Sequence, residues 1–191
     1  SSADPDAALI QVETDNGDSD EYTVFVFKID VADDSSDLEL HDAHVTIDVM
    51  NPATNATTTV DDIIKDVYLI VDGEEVKGED TDDAADDVDT NIGAGNTTAT
   101  VDYLFEFDGD VELSSGNSEV ELVVVFRGQD ADSNYEDGVT VQASVDGADW
   151  DLRGLDGDNV LTGTQSGEEH TLQGVVPTIS DVEVDESRSE A

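Results

Sequence analysis

The chain has 191 residues, of which 50 are Asp or Glu and only 6 are Lys or Arg, giving a formal net charge of −44 at pH 7. That balance excludes nucleic acid and anionic lipid as partners, because both are held by clustered Lys and Arg. It also opposes compaction in dilute buffer, whereas in molar salt the Debye length falls to about 3 Å and most of the self-repulsion is screened, so the composition points to an extreme halophile, with an archaeon the first expectation.

The chain opens Ser1-Ser2-Ala3-Asp4-Pro5 rather than with Met, which predicts a processed, exported N-terminus. Residues 1–20 read as an N-terminal extension in which Ala8, Ile10 and Val12 form an alternating stripe ahead of the Asp15 to Asp20 turn. From Tyr22 to Val31 the period is two, with Phe25, Phe27, Ile29 and Val31 on one face. Val45, Ile47 and Val49 alternate with Thr46 and Asp48 in the next strand. Just before them stand His41 and His44; on a strand, positions three apart point to opposite faces, so the pair is not expected to chelate one ion. Asp61 to Lys65 suits a single turn. Val67 to Val71 then runs into Asp72-Gly73, a hairpin signal, and returns through Val76. The stretch from Lys77 to Asn96 reads as a long irregular loop, of the kind that is usually functional or mobile.

Further on, Val101, Tyr103, Phe105 and Phe107 form one stripe, Val120, Leu122, Val124 and Phe126 a second, and Val139, Val141, Ala143 and Val145 a third. Shorter apolar pieces follow at Trp150 to Leu152, Val160-Leu161 and Leu172 to Val176. Trp150 reads as a core residue. The pattern predicts an all-β fold: a single antiparallel β-sandwich, jelly-roll or Ig-like, of about 8–10 strands. Residues 21–176 form it, flanked by the extension 1–20 and a C-terminal extension 177–191 with its own apolar stripe of Ile179, Val182 and Val184. The longest apolar runs are far too short to cross a bilayer as a helix.

Few residues suggest chemistry. There is no cysteine, so disulfides and thiolate metal sites are excluded. No nucleophile motif is present, and with 50 carboxylates any catalytic pair is arbitrary, so no catalytic residue is assigned and the chain does not read as an enzyme. Calcium is the one cofactor the sequence suggests. Two carboxylate-dense loops offer oxygen ligands: Asp130, Asp132 and Asp137 in one, Asp156 and Asp158 in the other. Neither follows the EF-hand spacing, and a solvated acidic surface explains them as well. Arg127 and Arg153, being scarce cations, are expected among carboxylates as electrostatic staples. Asn55-Ala56-Thr57 and Asn96-Thr97-Thr98 are acceptor sequons for N-linked glycans and agree with a cell-surface address.

The exported start, the Ala8, Ile10 and Val12 stripe, the single sandwich and the lack of a catalytic motif together resemble the secreted β-sandwich subunits of extracellular filaments and surface coats. That class includes the TasA and camelysin fibre proteins and donor-strand pili. The resemblance implies a homopolymer assembled by inserting a terminal strand into the next subunit's sheet. On that reading residues 7–13 are the donor strand and Ile10 and Val12 fill pockets in the next subunit, with Ile179 to Val184 in reserve. Two alternatives stand beside it. One is a monomeric extracellular calcium- or glycan-binding adhesin module. The other is the ectodomain of an archaellin or type IV pilin-like protein, although residues 1–21 are polar and hold no long apolar helix.

Overall fold

The computed structural model describes residues 4–14, 17–32, 37–52, 57–80, 91–93, 95–129, 134–154, 157–159 and 161–174. Among them the fold is all-β, with fifteen strands and a single 3-10 turn at Gly147–Asp149. In chain order the strands are β1 (Leu9–Val12), β2 (Asp18–Val31), β3 (Leu38–Asn51), β4 (Thr58–Thr59), β5 (Ile64–Val71), β6 (Glu74–Lys77), β7 (Glu79–Asp80) and β8 (Asn91–Ile92). There follow β9 (Thr97–Leu113), β10 (Gly116–Arg127), β11 (Thr140–Asp146), β12 (Asp151–Gly154), β13 (Gly157–Asn159), β14 (Thr164–Ser166) and β15 (His170–Gly174). The strands beyond the predicted set are short: β4, β7 and β8 have two residues each, too few to show a period.

Two sheets enclose one core. The four-stranded sheet runs β2-β10-β5-β6. The nine-stranded sheet is built around β3, which pairs along its whole length with β9 and on its other side with β11 and then β12. β15 extends this sheet from β11, and β1 lies outermost, beside β15. Phe25, Phe27, Ile29, Leu122, Val124 and Phe126 of the smaller sheet belong to the same buried cluster as Val45, Ile47, Val49, Phe105 and Leu172 of the larger. The alternation in the sequence is thus the inward face of each sheet. Trp150 closes one end of this core. It is buried, meets Phe27 edge-on at 5.7 Å between ring centroids, and donates its Nε1–H to the His44 carbonyl at 2.9 Å.

The hairpin at Asp72-Gly73 forms as expected. Val71 pairs with Glu74, and the two turn residues have φ of 49° and 91°, the left-handed pair of a type I′ turn. The turn ahead of β5 falls one residue earlier than expected, with Val60 accepting from Ile63 and Ile64. Inside the stretch from Lys77 to Asn96, β7 pairs with β9 and β8 with β4, while residues 81–90 lie outside the described residues.

Two features depart from the sequence reading. β3 carries a β-bulge between Leu40 and Asp42, so the buried positions run Leu40, Ala43, Val45. The unbroken alternation assumed for His41 and His44 therefore does not hold. The second concerns the N-terminus. β1 is a member of the nine-stranded sheet and β2 already begins at Asp18, so residues 9–12 and 18–20 belong to the sandwich rather than to an extension. The β1–β15 ladder is also parallel, unlike every other ladder among the described residues. Residues 177–191 lie outside the described residues.

Candidate functional site

β1 and its seat are the part of the molecule where the sequence stripe and the structure meet. Leu9, Ile10, Gln11 and Val12 lie beside Thr171, Leu172, Gln173 and Gly174. Ile10 and Val12 point inward and are buried, Val12 completely, whereas Leu9 and Gln11 point outward. Burying the two apolar side chains is worth about 1.5–3 kcal/mol each. Ala8, expected as the third apolar contact, is instead exposed and serves through its backbone. Its carbonyl accepts from Thr171 N–H at 2.9 Å, and its own N–H donates to His170 Nδ1 at 3.2 Å. The expected occupancy differs in this structure: Ile10 and Val12 fill the chain's own core, not a pocket of a second copy.

His170 holds β1, β15 and β2 together. The imidazole is buried, and while Nδ1 accepts from Ala8, Nε2 faces the Val24 carbonyl of β2 at 2.9 Å. Both bonds form when the ring proton sits on Nε2. Sequence reasoning passed over His170 because its partners stand 146 and 162 residues away.

The linker from β1 to β2 is short and clamped at both ends. Glu13 accepts from Gln129 N–H at 2.7 Å, and Gly17 accepts from Gly128 N–H at 2.9 Å. Tyr22 Oη donates to the Gln11 carbonyl at 2.6 Å. Behind the clamp, Tyr135 is buried and donates to the Arg127 carbonyl. Burial, and then the neighbouring Asp137 carboxylate, push the Tyr135 hydroxyl well above the ordinary tyrosine value. Burial also raises Tyr22, with Asp20 and Glu13 adding to it.

The other candidate residues do not converge on β1 or on each other. Asp137 Oδ1 accepts from Gly174 N–H at 2.7 Å, so this carboxylate anchors the end of β15. Asp130, Asp132 and Asp156 lie outside the described residues; Asp158 is in β13, opposite Arg153. Among the described residues no three His, Asp or Glu side chains are grouped as a metal site. His44 Nδ1 lies 2.8 Å from Asp102, whereas His41 Nε2, 3.6 Å from Glu39, is buried without a hydrogen bond among the described residues, so the two rings do not share a partner. Arg127 pairs with Asp61 and Arg153 with Asp151, and each Lys among the described residues has a carboxylate partner as well. Such exposed pairs contribute little, and less in concentrated salt. Asn96 is exposed at the turn into β9 with φ of 58°, and Asn55 lies outside the described residues.

No protein-family model and no curated protein matches the chain. The solved structure of AvmM, which catalyzes macrocyclization in alchivemycin A biosynthesis, aligns over 91% of this chain and 89% of its own with a TM-score of 0.41 and 9% identity. At that likeness nothing is transferred from AvmM to this chain. No described helix is long and apolar enough to cross a membrane.

Proposed function

We propose that the chain is a structural subunit of an extracellular filament or surface lattice of an extreme halophile, assembling through exchange of β1 between copies. The observation that carries this reading is the way β1 is held. Among the described residues it is a four-residue edge strand with one ladder neighbour and two apolar plugs, joined to the rest of the fold through residues 13–17. The contacts it makes with β15 and the core can be made by β1 of another copy, so the cost of exchange is the opening of the linker, whose Glu13 and Gly17 carbonyls must release Gln129 and Gly128. Chains that each donate β1 to the next form an open series, whereas a reciprocal pair closes as a dimer. Brine favours the assembly, since screening removes the repulsion between copies that each carry a charge of −44 while apolar burial and backbone pairing persist. Exposed Asn96 fits a glycan on such a surface.

Electron microscopy of the protein in molar salt tests the reading. Fibres or lattices are expected from the whole chain, and none after deletion of residues 1–14. A peptide of residues 4–14 added to the deleted protein restores its stability, because it refills the seat that β1 leaves. Assembly that survives the deletion overturns the role of β1. Uniform small particles from the whole chain leave the adhesin module instead.

A further inference from the structure

β2 is one of the two end strands of the four-stranded sheet, and among the described residues it has a strand neighbour, β10, on one side only. From Phe25 to Val31 the β2–β10 register runs without interruption, opposite Leu122 to Gly116. In an antiparallel ladder both backbone groups of a residue face the same neighbour, and successive residues alternate. Val26 donates its N–H away from β10, to Asp4 Oδ1 at 2.9 Å. The same period turns the backbone groups of Lys28 and Asp30 outward. Two cavities adjoin them, one of about 370 Å³ between Lys28 and the chain's own Gln165 and Ser166, the other of about 360 Å³ between Asp30 and the chain's own Thr162 and Gly163. An open edge with outward backbone groups is a template for another strand.

We infer that this edge pairs with the same edge of a second copy, antiparallel and about a two-fold axis at Ile29, so that Lys28 of each copy lies opposite Asp30 of the other. Two observations select this occupant and this register. Lys28 and Asp30 are adjacent outward positions on one exposed face, one of each sign, in a chain with only three lysines. Shifting the register to face Lys28 with Lys28, or Asp30 with Asp30, opposes like charges at the centre of the ladder, which disfavours it. With Ile29 on the axis, both central pairs are oppositely charged and both are of the hydrogen-bonded kind, so four backbone hydrogen bonds form. Lys28 already lies 3.5 Å from Glu119 on β10. It then stands between Glu119 of its own chain and Asp30 of the second copy, and a row of alternating charge crosses the joined sheets. A lone lysine on an edge strand guards against pairing; a lysine with its complement two residues on makes the edge pair with itself. The inference goes beyond the exchange of β1 and does not depend on it, because β1 lies in the other sheet.

Single-cysteine variants provide the test, since the native chain has no cysteine. Lys28→Cys and Asp30→Cys are mixed in molar salt, oxidised, and compared with each variant oxidised alone on denaturing gels. Opposed Cα atoms of a hydrogen-bonded pair lie about 5.5 Å apart, within disulfide reach, and diagonal positions lie about 7–8 Å apart, beyond it. The mixed pair also keeps one Lys28–Asp30 contact. The expected result is a cross-linked dimer of one chain of each variant, about tenfold above either reaction alone. In sedimentation of the unassembled protein, below the concentration that gives fibres, Lys28→Asp shifts the dimer toward monomer, and Lys28→Asp with Asp30→Lys restores it. Equal yields in all three reactions, or loss of dimer in the double variant equal to that in the single, overturn the inference.

Discussion

The two sheet edges solve the same problem in opposite ways. The nine-stranded sheet ends in β1, a four-residue strand whose inward side chains are apolar and whose ladder is parallel. The four-stranded sheet ends in β2, a fourteen-residue strand whose inward face is fixed in the core by Phe25, Phe27 and Ile29. On the proposed reading β1 is the piece that leaves, which opens a slot and exposes the backbone of β15. β2 is permanent and offers only its outer rim. On the proposed reading, screening in concentrated salt leaves only charges in direct contact, so the first edge relies on burial and the second on backbone pairing, with adjacent opposite charges choosing the register. The contrast is why we propose exchange for β1 and lateral pairing for β2.

Substitutions at the two edges sharpen that contrast, beginning with the largest effect. Val12→Asp puts a carboxylate at a fully buried position and is expected to cost roughly 3–4 kcal/mol, with assembly lost, as read by melting in molar salt and by microscopy. Ile10→Ala, which leaves a cavity, is expected to cost about 2–4 kcal/mol. Lys28→Ala on the other edge is expected to change stability by less than about 0.5 kcal/mol, since the side chain is exposed. A β1 substitution as mild as the β2 one would erase the distinction.

A smaller effect concerns the clamp behind the linker. Tyr135→Phe removes the hydroxyl's bond to the Arg127 carbonyl and is expected to cost about 1 kcal/mol near neutral pH. The raised Tyr135 value gives this contribution a pH signature. Below about pH 10 both folded and unfolded chains keep the phenolic proton and the contribution is complete. As the pH rises further the unfolded chain ionises first, so stability falls. In the phenylalanine variant this alkaline loss is smaller, and thermal melts at rising pH measure the difference.

Much of the sandwich was legible because its information is local. Asp72-Gly73 specifies its own turn, and the stripes at Val45 to Val49 and Val120 to Phe126 follow from period two. The stripe at Ile10 and Val12 was legible as well, but its seat was not, since the pairing with Leu172 and Gly174 joins the two ends of the chain and leaves no mark on either. The bulge at Leu40 to Asp42 escaped for a related reason: an extra residue in a strand resembles ordinary alternation until the partner strands are known. Asp137 attracted attention as an oxygen ligand within an acidic loop, and what it receives in the fold is the Gly174 N–H. The open rim of β2 was invisible because an edge strand and a central strand bury their side chains with the same period.

Whether β1 sits in its own chain or in its neighbour's is the central question, and one disulfide answers it. Gln11 and Gln173 are exposed and are register partners in the β1–β15 ladder. Adjacent strands lie about 4.8 Å apart, so cysteines at both positions are within bonding reach. Gln11→Cys with Gln173→Cys is assembled in molar salt, oxidised, and run on a denaturing gel without reductant. Exchange predicts a ladder of covalent multimers, because each bond joins β1 of one copy to β15 of the next. A single band of internally bonded monomer from the assembled material would contradict the account.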